Sequence, residues 1–366
     1  MLFWEIVSLG ILVTLLKQSR RAALRQSLRR YDYASGEYFP IDPEDIDDLS
    51  SIISRLQSVS SSMTKLSFEK RLSAVRGAMD SFFADAQITS DVKIVDALGV
   101  QAEWVQAGNI DPRKRFLYIH GGAFCAGSPS SHRSITSRLS EITCSAVLSI
   151  DYRLMPENSR HDSMCDCRTA YQFLLDNGPD GKTPAETMFI GGDSAGGNLA
   201  LSLTAWLRDS ERRVPDAVVA LSPLTDSNLD SPSFTQNYAS DVILKTLLQL
   251  LNRIPRLLYG LFFFLLNKIP IHNPSVSPLL GDLSNMPPLL IQVSDSEMLF
   301  DDARRYVNKA TEAGSPVKLQ QWQAMPHVFQ IFHPDLRSAT RALDEIAKFC
   351  QTHSSSRNMI ASRPSA

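Results

Sequence analysis

From Val92 onward the chain alternates short apolar, β-branched runs with longer stretches of helical periodicity, and this alternation constrains the fold more than any other feature. Residues 92–95, 103–106, 116–119, 146–150, 188–190, 217–221, 289–293 and 318–322 read as strands. The later ones are continuous apolar runs, as strands buried on both faces require. Between them 131–142, 162–175, 195–208, 299–313 and 335–350 read as helices. The order predicts a mostly parallel sheet wrapped by helices and opening with an antiparallel pair.

Two segments break the alternation. Residues 40–90 are Ser-rich, with Ile46, Leu49, Ile53 and Leu56 at helical spacing. Residues 230–272 form a second insert, ending in the very apolar run 257–266. Ten residues are too few to span a bilayer, and such a run suits a buried or interfacial helix. Together the two inserts are expected to build a lid over the C-terminal edge of the sheet.

Composition narrows the function classes. With 43% hydrophobic and 21% charged residues, the 366-residue chain can bury a full core and does not read as disordered. Its 37 Lys+Arg against 39 Asp+Glu argue against a nucleic-acid partner, which calls for a basic excess. Five cysteines form an odd set, and Cys165-x-Cys167 cannot by itself supply four zinc ligands. Neither a metal nor an organic cofactor is expected.

The N-terminus carries an apolar stretch from Leu2 to Leu16, broken by Glu5 and followed by six basic residues between Lys17 and Arg30. A secretory signal has the opposite order of charge and apolarity. The stretch therefore reads as an uncleaved membrane anchor over residues 1–30, and the basic flank would hold the catalytic body on the cytoplasmic side. The organisation that follows is a helical cap segment at 31–90, a catalytic domain at 91–352 with the cap insert at about 230–272, and a disordered tail at 353–366.

Chemistry concentrates in two glycine windows. In Met188-Phe-Ile-Gly-Gly-Asp-Ser-Ala-Gly-Gly-Asn198, the motif Gly192-x-Ser194-x-Gly196 falls where a predicted strand passes into a predicted helix. A nucleophile elbow needs that context, because the tight turn leaves no room for side chains beside the serine. Ser194 would stand at a helix N-terminus, whose free N–H groups and dipole favour developing negative charge. Asp193 beside it points away from the same turn and reads as structural. The second window, His120-Gly-Gly-Ala-Phe-Cys-Ala-Gly127, follows the strand at 116–119. Paired glycines there let backbone N–H groups converge on an oxyanion. The expected donors are the N–H groups of Gly121, Gly122 and Ala195. His120 is read as orienting this loop, since a better base lies downstream.

These windows, joined by Asp151-Tyr-Arg-Leu-Met-Pro-Glu157, resemble the hormone-sensitive-lipase branch of the α/β-hydrolase family, which includes carboxylesterases, bacterial esterases and arylacetamide deacetylases. The resemblance covers about residues 90–350. It continues through Ser222-Pro-Leu, Ser277-Pro-Leu, Met286-Pro-Pro-Leu-Leu-Ile and Met325-Pro-His327. It implies an α/β-hydrolase fold with an eight-stranded, mostly parallel sheet and a helical cap. The family usually has glycine where Ala123 stands, and it uses the 151–157 stretch as scaffolding.

In that family the chain order is Ser, acid, His. His327, after the last predicted strand and before the last helix, is the expected base, with His333 its competitor. The loop after the strand at 289–293 offers Asp295, Glu297, Asp301 and Asp302. Family members place the acid four residues before the paired acids, which selects Glu297 and keeps Asp295 as the alternative. Asp301 and Asp302 are read as complementing the dipole of the next helix. The implied function is a serine hydrolase that cleaves a carboxylic ester of a lipophilic small molecule through an acyl-enzyme. Two alternatives stand beside it: a biosynthetic tailoring enzyme performing lactone opening, dehydration or cyclisation at the same site, and a non-catalytic small-molecule binder.

Overall fold

The computed structural model describes residues 27–63, 66–82, 90–251 and 264–354. Its centre is a sheet of nine strands: β1 (Glu37–Phe39), β2 (Asp91–Asp96), β3 (Gln101–Gln106), β4 (Asp111–Ile119), β5 (Ser145–Ile150), β6 (Thr187–Asp193), β7 (Ala217–Leu221), β8 (Leu289–Ser294) and β9 (Val317–Trp322). The spatial order is β1-β9-β8-β7-β6-β4-β5-β3-β2. Only β3 runs antiparallel to its neighbours, β2 and β5. The eight expected strands are present, and the sheet has the α/β-hydrolase form with a ninth strand added at one edge.

The longer described helices are α1 (Ile46–Met63), α2 (Phe68–Phe82), α3 (Arg133–Thr143), α4 (Arg160–Asp176), α5 (Ser194–Asp209), α6 (Val242–Leu251), α7 (Phe300–Glu312) and α8 (Arg337–Ser354). Strand periodicity of two sorts the core into layers. Phe116 and Tyr118 of β4 join Val147, Val219 and Leu290 on one face, covered by Ile135 and Leu139 of α3 and Leu343 and Ile346 of α8. Leu117 and Ile119 face the other side with Leu148, Ile150 and Ile190, covered by α4 and α5. There Tyr306 and Val307 of α7 close over Val218, Ile291 and Leu319. The start of α4 is set by a capping box, in which the Ser159 side chain and the Asp162 carboxylate exchange hydrogen bonds with each other's backbone N–H.

The start of the 31–90 segment belongs to this body and not to a cap. β1 pairs in parallel with β9, and Phe39 stacks on Trp322 with ring centroids 4.3 Å apart. The buried Asp45 carboxylate accepts the N–H groups of Arg337 (2.7 Å) and Ser338 (2.8 Å), capping α8 from a distant part of the chain. Asp32 pairs with Arg305 at 2.6 Å. Only α1 and α2 of this segment lie over the C-terminal ends of the strands, where α1 packs against α2 and against α6 from the second insert.

The expected membrane anchor and cytoplasmic placement need correction. Among the described residues no helix is long and apolar enough to cross a membrane. The stretch on which the anchor rested, residues 1–26 of the 1–30 segment, lies outside the described residues. Of the apolar run 257–266, residues 257–263 also lie outside them, and 264–266 are helical. Of the expected tail, residues 355–366 lie outside them, whereas His353 and Ser354 continue α8.

Docking of β1 depends on one ring. Phe39→Ala removes the stack on Trp322 and leaves a void at the sheet edge, which should cost about 3 kcal/mol in urea unfolding.

Candidate active site

The nucleophile turn is compressed between strand ends. β6 runs into α5 without a linking loop, and Ser194, at φ +51°, takes the left-handed conformation that side chains rarely adopt. The turn sits so close to the end of β4 that a Cβ on Gly196 would lie 1.9 Å from the Ile119 carbonyl oxygen, and one on Gly192 2.5 Å from it. Glycine is required at both places by contact, as the motif suggested.

From this turn Ser194 reaches His327, with Oγ 2.8 Å from Nε2. His327 sits in the loop after β9, and its Nδ1 is 2.6 Å from Glu297 Oε2. Glu297, in the loop after β8, is 1% exposed, and its other oxygen accepts from Ser222 Oγ (2.7 Å) and the Ser294 N–H (2.8 Å). Three loops at the C-terminal edge of the sheet thus bring Ser194, His327 and Glu297 into one chain of hydrogen bonds. Asp295 is turned elsewhere: it accepts from the Ala324 N–H (2.8 Å) and meets the Tyr38 hydroxyl at 3.5 Å. His333 is bonded to Thr340 Oγ1 at 2.8 Å.

Burial disfavours the charged form of both partners in the His–Glu pair. For His327 the charge and hydrogen bond of Glu297 outweigh burial, so its imidazolium is held above the ordinary histidine range. For Glu297 burial outweighs the attraction of His327, and its carboxyl lies above the ordinary value.

The oxyanion loop departs from the expectation at one residue. The Gly121 N–H donates to Asp193 Oδ1 at 3.0 Å and is therefore committed inside the protein. A Cβ on Gly121 would lie 2.1 Å from Asp193 Oδ2, so its glycine serves this close approach and not an open donor. Gly122 and Ala123 line the cavity beside Ser194 instead, with φ of +111° and +53°. Among the described residues no acceptor faces their N–H groups. The Ala195 N–H belongs to the first turn of α5, where backbone donors have no partner within the helix. The donors gathered near Ser194 are thus Gly122, Ala123 and Ala195. Gly122 and Ala195 were expected, and Ala123 stands here in place of the expected Gly121.

Behind the loop lies a buried polar cluster that the sequence reading missed. Asp193 also accepts from Tyr118 OH (2.7 Å) and pairs with His132 Nε2 (3.3 Å). Burial opposes charge on both, yet each favours the charged form of the other: Asp193 lies below its ordinary value and His132 above. His132 is thereby bound to Asp193 and not to Ser194. His120 stacks on Tyr152 at 4.4 Å, and burial with the neighbouring His132 drives it down to about 3, so it stays neutral at neutral pH. That suits the loop-orienting role expected of it.

A cavity of about 180 Å³ opens onto Ser194. Its outer walls are Leu56, Val59 and Met63 of α1, Val75 and Met79 of α2, and Val242, Ile243 and Leu244 of α6; Ile331 and Phe332 form its floor. The cap side contributes two hydroxyls, Ser60 and Thr246, 2.5 Å apart, and Thr246 donates to the Val242 carbonyl (2.9 Å). Ser60 can then donate to Thr246, so both protons are spent within the wall. Among the described residues, no group of three or more His, Cys, Asp or Glu could hold a metal ion.

Comparison with known proteins accords with this geometry. A family model described as alpha/beta hydrolase fold matches residues 116–331. An acetyl-hydrolase of Streptomyces hygroscopicus is 38% identical over 251 residues, which span 69% of this chain and 79% of that protein. An esterase of Acinetobacter venetianus is 33% identical over 261 residues, spanning 71% of this chain and 82% of its own. Among solved structures, an esterase from the bacterial hormone-sensitive lipase family superposes with a TM-score of 0.68 at 31% identity, covering 82% of this chain and 97% of that one.

Replacing Gly196 by alanine forces the turn off the Ile119 carbonyl. The variant should lose more than 100-fold in esterase activity, with a thermal midpoint several degrees lower, by activity assay and calorimetry.

Proposed function

We propose that this chain, which belongs to the α/β-hydrolase family and is a carboxylic ester hydrolase, performs that reaction with Ser194 as nucleophile, His327 as base and Glu297 as acid. The observation that carries the assignment is the unbroken path Ser194 Oγ–His327 Nε2 (2.8 Å) and His327 Nδ1–Glu297 Oε2 (2.6 Å). Glu297 accepts a hydrogen bond from Nδ1–H and so fixes the tautomer in which Nε2 is unprotonated and able to take the proton of Ser194. Ser194 Oγ then bonds to the ester carbonyl carbon. The carbonyl electrons move to oxygen, where the N–H groups of Gly122, Ala123 and Ala195 receive the negative charge. The imidazolium gives its proton to the departing alcohol as the C–O bond breaks. Water, deprotonated by His327, attacks the acyl-enzyme; as the acyl C–O bond breaks, the imidazolium returns its proton to Ser194 Oγ and the acid is released.

The substrate reading is a neutral lipophilic ester. Its support is the cavity wall of leucine, valine, isoleucine, methionine and phenylalanine, with its two hydroxyl protons already spent. A charge pushed into that wall would be desolvated without a partner. Helices α1, α2 and α6 act as the cap that supplies this wall. No observation favours lactone opening, dehydration or cyclisation over hydrolysis, and the intact hydrogen-bonded path speaks against a pure binder.

Three measurements test the reading. Fluorophosphonate labelling should vanish in Ser194→Ala. Glu297→Gln should lower kcat by about 10³-fold or more, whereas Asp295→Asn stays within a few-fold of the parent; the reverse pattern would transfer the acid role to Asp295. Along a series of neutral p-nitrophenyl esters kcat/KM should rise with acyl length beyond acetyl, and a terminal carboxylate on the acyl chain should cost about 100-fold.

The pH profile follows from the direction of the His327 shift. A protonated imidazole cannot accept the serine proton, so activity falls as pH drops through the folded-state value. That value lies above the ordinary 6.5, so the acid limb of kcat/KM should have its midpoint on the alkaline side of 6.5. A limb centred near 5 would contradict this placement.

A further inference from the structure

The cavity wall is tied to the loop that carries Glu297. The first residues of α6, Val242, Ile243 and Leu244, line the cavity. Immediately before them Asp241, 2% exposed, gives one carboxylate oxygen to the Leu244 N–H (2.9 Å) and the other to the Met298 N–H (3.0 Å). The first bond caps α6, and the second holds the residue next to Glu297. One turn earlier, Asn237 Nδ2 donates to the carbonyls of Asp295 (2.8 Å) and Glu297 (2.7 Å), and Ser240 Oγ donates to that of Ser296 (2.9 Å). Every residue from Asp295 to Met298 is therefore held by one hydrogen bond from the 237–241 segment.

Serine or asparagine would suffice to cap a helix. A buried carboxylate is the costly choice, and it sets a further negative charge near the Glu297–His327 pair. The charged groups that face His327 come from three directions: Glu297 in the loop after β8, Asp241 before α6, and Asp193 at the end of β6 with its partner His132. All three carboxylates favour the imidazolium over the neutral ring, against the burial that disfavours it.

We propose that Asp241, supported by Asn237, is a positioning residue for ester hydrolysis, which holds the Glu297 loop to the cavity wall and lends its charge to the imidazolium formed on His327. The proposal rests on the reading of Ser194, His327 and Glu297 as the catalytic set.

Two variants of the full chain separate the clasp from the charge. Asp241→Asn keeps the shape, but its single carbonyl oxygen can serve only one of the two N–H groups, and the charge is gone. Asn237→Ala removes two bonds of the clasp without changing charge. Working enzyme is counted by fluorophosphonate titration, so unfolded material does not enter kcat. Both variants should lose about tenfold in kcat on a neutral p-nitrophenyl ester, with KM changed less than threefold. Only Asp241→Asn should move the acid limb of kcat/KM, to lower pH by about half a unit or more. The proposal is overturned if Asp241→Asn keeps kcat within twofold, or loses activity with the limb unmoved. Should Asp241→Asn give no titratable enzyme, Asn237→Ala decides, and an unchanged kcat overturns the clasp. Ser194→Ala runs alongside: if it still turns over ester, the catalytic set itself is misassigned, and if it is inactive while Asp241→Asn is normal, only the role of Asp241 falls.

Discussion

Asp193 is the group on which the arrangement of the site depends. It is the last residue of β6, 2% exposed, and it joins the loop after β4 to the turn at Ser194 by accepting the Gly121 N–H, while Tyr118 and His132 also bond to it. A buried carboxylate survives only when its hydrogen-bond sites are filled and a positive partner is near. His132 supplies that partner, and Gly121 makes room for it because any Cβ would meet the carboxylate. Spending the Gly121 N–H on Asp193 leaves the donors of Gly122 and Ala123 to face the cavity. The proposed oxyanion donors are thus selected by a buried carboxylate that takes up the neighbouring N–H.

The three residues proposed to carry the reaction could be picked out in the sequence because each stands at a junction that the strand–helix alternation marks. Ser194 lies where β6 becomes α5, Glu297 in the loop after β8, and His327 in the loop after β9. Resemblance to the family supplied the choice of Glu297 over Asp295; the geometry that favours the same choice is the direction of two side chains in one loop, which no spacing encodes. The polar groups around them were not legible. Ser222, His132, Tyr118 and Asp241 act through contacts between segments far apart in sequence, and none stands in a pattern that separates it from an ordinary buried polar residue.

The strands were legible where apolar residues run or alternate without a break: the mostly exposed β2 was read almost in full, whereas Gly191 and Gly192 hid the end of the buried β6. β7, all of whose residues are buried, matched its apolar run from end to end. β1 has three residues, Glu37, Tyr38 and Phe39, of which one is buried, and its partner β9 lies some 280 residues away. A strand of that length has no periodicity to read; it exists because Phe39 finds Trp322 and because Asp45 caps α8. The same contacts explain why the 31–90 segment divides between body and cap. The N-terminal apolar stretch suggested a membrane span that no described helix is long and apolar enough to make.

The cap is bonded to the catalytic loops at two separate places, and this bears on how specificity and rate relate. On one side Arg76 of α2 donates to the Cys125 carbonyl in the oxyanion loop (2.7 Å) and to that of Met155 (3.1 Å), while its ion pair with Glu157, chiefly through the hydrogen bond, pulls that carboxyl down to about 2. On the other side lies the 237–241 clasp on the Glu297 loop. Between them α1, α2 and α6 offer apolar side chains to whatever enters the cavity. Binding energy from a remote acyl chain accelerates a reaction only when it is realised more strongly in the transition state than in the ground state. A wall that slid freely over the body would lend that energy to binding alone. A wall fastened to the oxyanion loop at one end and to the acid loop at the other can use it to hold donors and base in register as the oxyanion and imidazolium form. Side chains facing the cavity can then set which acyl chain fits, while Arg76, Asn237 and Asp241 hold the wall that carries them.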